Sequence, residues 1–137
     1  MELVDTSALI LALRDEAVSR WLRDAVIAND VVVCDQVALE YLRGARSQSE
    51  YDTFDSSLRA FPSVPIEPAD WDRARAVFRE LAGVSSGYQR SVPIPDALIA
   101  ATAERHGLTV AHFDGDFDRI AAVTRQSTRW VVPRPGS

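Results

Sequence analysis

The chain has 137 residues and a formal charge of −5, with 47% hydrophobic and 26% charged residues. This composition is typical of a folded globular protein and excludes disordered and collagen-like chains. No apolar run approaches the roughly 20 residues of a membrane-spanning helix, and Glu2 and Asp5 stand where a signal peptide carries basic residues. Because Cys34 is the only cysteine, a disulfide framework is excluded. We therefore expect one cytoplasmic domain over residues 1–137, with no membrane partner.

The charge balance excludes further classes of protein. All 15 basic residues are arginines, so mechanisms that need a lysine, such as Schiff-base catalysis or a phosphate-loop lysine, are excluded. The six glycines form no dinucleotide-binding or Walker pattern. Since affinity for nucleic acid comes mostly from neutralised phosphates, an acidic chain that binds nucleic acid needs locally placed arginines or a bound cation.

In chain order, short apolar runs alternate with helical patterns. Strands are predicted at 3–4, 31–34, 64–66, 108–112 and 129–132, and the third of them, weakened by Pro65, is a short strand or an extended turn. Helices are predicted at 8–13, 17–26, 35–46, 48–61, 70–82, 96–106 and 117–123. Thr6 or Ser7 is expected to cap the first helix and Asp35 the third, and Trp71 is expected on the buried face of the helix 70–82. The alternation predicts the α/β fold class, a parallel sheet between layers of helices.

Acidic residues fall near the ends of the predicted strands. Asp5 follows the first strand directly, Asp114 follows the fourth, and Asp96 lies at the start of the helix between them. Ligands of open α/β sheets bind beyond the carboxyl ends of the strands, so these acids can converge there, although spacing alone does not fix the strand order. Glu40 lies on an apolar face of its predicted helix, which is unusual for a solvated acid.

A cluster of carboxylates favours a divalent metal ion. Crowded acids repel one another and take up protons unless a cation lies between them, and this chain has no lysine to supply the charge. Carboxylate oxygens suit Mg²⁺ or Mn²⁺, whereas the lack of clustered Cys and His argues against zinc. Such an ion activates water and neutralises charge on a phosphoryl group. The predicted chemistry is metal-assisted hydrolysis of phosphodiester bonds.

Structural roles remain open for each of these acids taken alone. Asp96 can be a helix N-cap, Asp5 a turn residue after a strand, and Glu40 a side chain that reaches water from the edge of the apolar face. His112, at the end of the fourth predicted strand, is a candidate supporting residue without an assigned role.

Two other motifs fail on their own requirements. The run Asp114-x-Asp116-x-Asp118 suggests a calcium loop, but Arg119 replaces the loop glycine and Arg125 the bidentate glutamate. Phosphatases of the haloacid dehalogenase type also begin with an aspartate after a strand. They need a second aspartate two residues later, where this chain has Ser7, and a lysine that it lacks.

The acidic segments resemble the motifs of a known family. Residues 3–8 (LVDTSA) resemble the first motif of PIN-domain nucleases, in particular the VapC-type toxins of prokaryotic type II toxin–antitoxin systems. Residues 94–103 (IPDALIAATA) are similar to the third motif and residues 114–117 (DGDF) to the fourth. Glu40 stands where the family carries its second acid. The resemblance covers essentially the whole chain, with the motifs in the family's order.

The resemblance implies roles for the acids. Asp5 and Asp96 would be the most direct ligands of Mg²⁺ or Mn²⁺. Glu40 and Asp114 would complete the acidic cluster, with Asp116 as a further contributor. The catalytic set would be Asp5, Glu40, Asp96 and Asp114, and Asp116 would contribute to metal binding alone.

It also implies a fold, an activity and partners. Thr6 or Ser7 would orient Asp5, in a PIN-like fold with a twisted parallel sheet sandwiched between helices. Members of the family are Mg²⁺- or Mn²⁺-dependent endoribonucleases that often cut tRNA or ribosomal RNA in loops. They are usually dimers, and a cognate VapB-type antitoxin inhibits them with a segment laid across the groove.

The sequence says less about the substrate and about the residues that contact RNA than about the acidic site. Candidate RNA-binding residues are the arginines near the predicted acids, Arg14, Arg43, Arg46 and Arg90. Alternatives to the toxin are a PIN nuclease that acts on DNA or in RNA processing, and a PIN-like binding domain without catalysis. The complete carboxylate set argues against the last, since an inactive site has no need for mutually repelling acids.

Overall fold

A computed structural model describes residues 1–136 and contains a four-stranded parallel sheet within them. The strands are β1 (Glu2–Val4), β2 (Val31–Val32), β3 (Thr109–His112) and β4 (Thr128–Trp130), in the order β2-β1-β3-β4. The helices are α1 (Thr6–Ala12), α2 (Glu16–Ile27), α3 (Asp35–Arg43), α4 (Gln48–Leu58), α5 (Pro68–Ala82), α6 (Ile94–Arg105) and α7 (Asp116–Thr124). The predicted α/β class with a helix-covered parallel sheet is confirmed.

The two central strands are buried and aligned in register. Leu3 and Val4 of β1 and Val110 of β3 are fully buried, as expected for strands of a parallel sheet covered on both faces. Val4 pairs with Ala111, so β1 and β3 end at the same level of the sheet. Residues that directly follow the two strands therefore emerge side by side.

Of the two structures predicted for 64–66, a short strand or an extended turn, the structure shows an extended segment without strand pairing. Only an isolated bridge between Val33 and Ser63 forms there. The carbonyl of Pro65 instead accepts a hydrogen bond from Arg105 at 2.8 Å. Proline lacks the N–H that a ladder needs, so this segment runs extended beside the sheet.

The buried face of α5 differs from the prediction by one residue. Trp71 is 51% exposed, whereas its neighbour Asp70 is 1% exposed and lies in line with the buried Val77 and Leu81. Asp70 closes a capping box with Glu67 at the start of the helix and pairs with Arg105. These contacts fix the rotation of the helix and turn Trp71 outward.

Helix boundaries differ from the prediction where caps intervene. Helix α3 starts at Asp35, so Cys34 is its N-cap and Asp35 does not cap it, and it ends at Arg43 before Gly44. Helix α4 ends at Leu58, short of the predicted residue 61. Between residues 1 and 136, no helix has the length and apolar composition of a bilayer-spanning segment.

Candidate active site

Two acids reach one edge of the sheet because of the strand register, and a third approaches them from α6. The amide of Asp5, directly after β1, donates to the carbonyl of Ala111 at 2.9 Å, and Asp114 follows two residues after the end of β3. Asp96 lies in the first turn of α6, where it is 7% exposed. This edge is the one at which α/β proteins bind ligands.

Asp5 is held by Ser7, which also joins the two strand ends. Asp5 Oδ2 accepts hydrogen bonds from Ser7 N at 3.0 Å and from Ser7 Oγ at 2.6 Å. Ser7 Oγ in turn accepts from Phe113 N at 2.9 Å. Asp5 is therefore the N-cap of α1, and the predicted cap at Thr6 or Ser7 is wrong. Thr6 is the first residue of α1 and is buried.

Asp96, Asp114 and Asp116 form the most compact acidic group, which we call the aspartate trio. Each offers a carboxylate oxygen, and these oxygens all lie within 4.8 Å of one another. Asp114 Oδ1 accepts from Asp116 N at 2.9 Å, and His112 Nδ1 accepts from Asp114 N at 3.2 Å. The trio is thus assembled from the β3–α7 turn and the first turn of α6.

Asp96 is not a helix cap. Pro93 is the N-cap of α6 and Asp96 is its third residue, while Asp96 Oδ2 is buried without a hydrogen bond within residues 1–136. Burial raises the pKa of Asp96, and the charges of Asp5 and of the rest of the trio raise it further. A buried carboxylate without a partner is costly, so this position favours a bound cation.

Asp5 and Glu40 lie beside the trio rather than within it. Burial raises the pKa of Asp5, the hydrogen bonds from Ser7 offset part of the increase, and the charge of Asp114 adds to it. Burial and the Asp5 charge raise the pKa of Glu40, and the side chains of Gln36 and Thr6 offset part of the increase. Of the two residues predicted as most direct ligands, only Asp96 belongs to the trio.

The donor set fits a divalent cation. The trio offers only carboxylate oxygens, which are the ligands that Mg²⁺ and Mn²⁺ prefer. Burial raises the pKa of Asp114 as well, although the charge of Arg119 partly offsets the increase. Since the pKa values of Asp96 and Asp114 are both raised by burial and by neighbouring acids, a positive charge between them would relieve both repulsion and desolvation.

Two neighbours of the trio carry interactions that the sequence reasoning did not assign. His112 is fully buried and packs against Phe117 and Trp130, with ring centroids 5.1 and 5.0 Å away. Burial lowers the pKa of His112 to about 4, so a neutral ring accepts from Asp114. Arg119 Nη2 donates to Asp116 Oδ1. The spacing of three residues on a helix was the available signal for Arg119.

The predicted RNA-binding arginines lie outside the trio. Arg14 and Arg46 line one cleft between α1, α3 and α4, and Arg46 pairs with Glu50 at 3.2 Å. Arg43 is exposed on α3 near Glu40, and its positive charge lowers the pKa of that carboxyl. Arg90 is exposed on the short 3-10 helix Tyr88–Ser91 before α6. These four arginines therefore lie on different elements, and only Arg43 is seen to act on one of the predicted acids.

Comparisons with known proteins agree with this geometry. The PIN domain family matches residues 3–123. The chain is 44% identical over 131 residues to "Ribonuclease VapC18" of Mycobacterium tuberculosis, covering 96% of this chain and 95% of that protein. It is 40% identical over 131 residues to "Ribonuclease VapC51" of the same organism, covering 96% of this chain and 93% of that protein.

Solved structures share the fold. The DNA-bound VapBC of Salmonella typhimurium aligns with a TM-score of 0.77 at 16% identity, covering 96% of this chain and 100% of that chain. A toxin–antitoxin complex from Klebsiella pneumoniae aligns with a TM-score of 0.72 at 20% identity, covering 96% and 98%. The family match covers most of the chain, and the two named relatives align over nearly its full length at 40–44% identity. Both findings agree with the four acidic motifs. The chain therefore belongs to the PIN-domain family, as one of its VapC-type ribonucleases.

Proposed function

We propose that this protein is the toxin of a VapBC-type toxin–antitoxin pair and hydrolyses RNA with the help of Mg²⁺ or Mn²⁺. The observation that carries the proposal is the aspartate trio, whose three carboxylates each offer an oxygen within 4.8 Å of the others. Within residues 1–136, Asp96 Oδ2 is buried without a hydrogen bond. The repulsion between these carboxylates does not stabilise the fold, whereas a metal-dependent phosphodiesterase site needs several carboxylates close together to bind its cation. Residues 1–137 would act as one domain.

Each acid would have a distinct part in the reaction. The trio would hold the cation, with Asp5 oriented toward it by Ser7. A divalent ion bound there supplies an acidified water and neutralises charge on the phosphoryl group. Glu40, whose pKa is raised by burial and by the charge of Asp5, would accept a proton from the attacking water. His112 would keep the Asp114 peptide in place.

RNA is the proposed substrate, and loops of tRNA or ribosomal RNA are the proposed targets. The named relatives are ribonucleases, and sequence-specific RNA recognition generally uses unstacked single-stranded bases. Arg14, Arg43, Arg46 and Arg90 would contact the phosphate backbone, which an acidic protein can approach only through local positive charge. All four are exposed.

A VapB-type antitoxin is the proposed protein partner. The solved structures with the same fold include toxin–antitoxin complexes. A cleft of about 360 Å³ between α2 and α4 is lined by the apolar residues Leu22, Val26, Ile27, Ala60 and Phe61, and Ile27 is 82% exposed. An apolar segment of the antitoxin would cover this surface. The homodimer and the cytoplasmic location stay predictions.

The test is cleavage by antitoxin-free protein. Total RNA and matched single-stranded DNA are incubated with Mg²⁺, Mn²⁺ or chelator, and new ends are mapped by sequencing. Asp5→Asn removes a charge of the site, and Asp72→Asn removes an exposed charge on α5 as a matched control. We expect discrete cuts in RNA that disappear with chelator and with Asp5→Asn but persist with Asp72→Asn.

Other outcomes identify the alternatives. Cleavage of DNA would favour a DNA-directed nuclease, and broad trimming of many RNAs would favour a processing enzyme. A folded protein that cleaves neither nucleic acid under any metal would favour a binding domain. Cleavage by Asp5→Asn at the wild-type rate would contradict the site assignment.

A further inference from the structure

Arg119 has an unusual position beside the aspartate trio. It lies on α7, one turn after Asp116, and its Nη2 atom donates to Asp116 Oδ1. The same nitrogen lies 3.4 Å from the carbonyl of Ser91, in the segment that leads into α6. Among the described residues, it is the one arginine that pairs with a member of the trio. Its guanidinium thus spans the two segments that supply the trio.

The hydrogen-bonding capacity of this guanidinium is largely unused. Arginine carries five N–H donors in a rigid fork, and both contacts of Arg119 within residues 1–136 use Nη2. Its Nε atom is buried and has no partner in the part of the chain that the structure describes. Because Nε is enclosed, a ligand would accept from the terminal Nη1 and Nη2 groups, which carry four of the five N–H donors.

A phosphate oxygen is the acceptor that best matches these donors. A planar guanidinium binds phosphate through two parallel N–H bonds. The side chain is 36% exposed, so a ligand can reach it, and its charge acts on Asp114 as well as on Asp116. Each phosphate brought to the trio therefore comes within the field of one fixed positive charge.

The pair with Asp116 also opposes cation binding. A positive charge beside a carboxylate lowers its attraction for a second cation. Arg119 would thus weaken metal binding by the free protein while strengthening binding of an anion next to the metal. A residue that only supported the fold of the trio would strengthen metal binding, because the carboxylates would be better placed.

We propose that Arg119 is a phosphate-binding residue of this site, which pairs with Asp116 in the free protein and donates to a non-bridging oxygen of the RNA phosphate in the complex. The proposal rests on the proposed nuclease function for its last step. Two effects of Arg119, weaker binding of the metal ion and stronger binding of phosphate, are properties of the protein without RNA and are tested separately.

The experiment uses the full chain with Arg119→Gln, Arg119→Lys and the control Arg75→Gln, an exposed arginine of α5. Calorimetry measures the affinity for Mn²⁺ alone, and then for inorganic phosphate at saturating Mn²⁺. We expect Arg119→Gln to bind Mn²⁺ about 3- to 10-fold more tightly and phosphate about 10- to 100-fold more weakly, as is typical for the loss of a charged hydrogen bond. Arg119→Lys should fall between, since it keeps the charge but loses the fork.

RNA cleavage provides the third measurement. We expect kcat/KM of Arg119→Gln to fall about 10- to 100-fold although its metal affinity rises, and Arg75→Gln to match wild type in all three measurements. Weaker Mn²⁺ binding by Arg119→Gln together with a lower Tm would identify a structural role and overturn the proposal. Unchanged phosphate affinity would overturn it as well. If wild type cleaves no RNA, the Mn²⁺ and phosphate affinities still decide the role of Arg119, while the proposed function fails.

Discussion

Two buried aspartates, Asp70 on α5 and Asp96 on α6, have opposite environments. Asp96 lies in the first turn of α6, and Asp70 faces the other end of that helix, where it pairs with Arg105. Asp70 is 1% exposed and receives Arg105 Nε at 2.7 Å, Arg105 Nη2 at 3.0 Å and Glu67 N at 2.9 Å. Asp96 is 7% exposed, and its Oδ2 atom has no partner within residues 1–136. Residue type and burial are nearly the same at the two positions, but the partners differ.

The pKa values follow the partners. Burial alone would raise the pKa of Asp70, but the hydrogen bonds from Arg105 and Glu67 lower it below its ordinary value. Burial raises the pKa of Asp96, and the acids around it raise it further. A buried carboxylate that stabilises a fold is paired within the protein, whereas one that binds a ligand is left for that ligand to pair.

The largest effect is expected from Asp96→Asn. This change removes a charge from the trio and little volume. Replacing a residue that only supports a metal ligand already lowers activity about 10- to 100-fold, so we expect RNA cleavage by Asp96→Asn to fall more than about 100-fold. The free energy of unfolding without metal should stay equal or rise, because a buried unpartnered acid is lost. Cleavage kinetics and urea unfolding of the same preparation check both parts, and a destabilised variant would show that Asp96 supports the fold.

Asp70→Asn should have the reverse effect. It leaves Arg105 without its carboxylate partner, and breaking one side of such a pair costs about 3–5 kcal/mol of stability when buried. The exposed part of Arg105 places the expected loss at the lower end. Urea unfolding measures it, while cleavage below the melting transition should remain at the wild-type rate. A loss of cleavage by a folded Asp70→Asn protein would link the two ends of α6.

The contrast between the two aspartates also marks the limit of sequence analysis. Strand ends and helix starts are local, so hydrophobic patterns placed Asp5, Asp96 and Asp114 on the correct elements. The partner of Asp70 lies 35 residues away, and no local pattern predicts that Asp70 rather than Trp71 faces inward. Tertiary contacts decide such rotations.

The composition of the trio was not predictable for the same reason. The order β2-β1-β3-β4 and the β3–α7 turn determine which carboxylates approach within 4.8 Å, and spacing along the chain does not contain this information. The motif resemblance gave all the acids but ranked Asp5 above Asp114 and Asp116. In the structure, Ser7 already satisfies Asp5 Oδ2 with two hydrogen bonds.

An intermediate effect is expected from metal addition. A ligand that binds only the native state stabilises it by about 2.7 kcal/mol at 100 times its Kd, which is several degrees in Tm for a chain of this size. We expect Mg²⁺ or Mn²⁺ to raise the Tm of wild type and of Asp70→Asn by the same amount, and that of Asp96→Asn much less. A metal titration followed by thermal unfolding measures the three shifts. Equal shifts in Asp96→Asn and wild type would place the cation elsewhere.

The smallest effect is expected at low pH, where the contribution of Asp70 to stability is lost. The folded-state pKa of Asp70 lies below its ordinary value of 3.8. Between these two pKa values the unfolded chain binds more protons than the folded protein, so stability falls as the pH is lowered through this range. The stability difference between wild type and Asp70→Asn should be constant above about pH 5 and shrink below 3.8. Urea unfolding of both proteins across this range measures the difference, with Asp72→Asn as the exposed control. A difference that persists at the lowest pH would mean that the carboxylate charge is not what Arg105 requires, and that packing alone distinguishes Asp70 from Asp96.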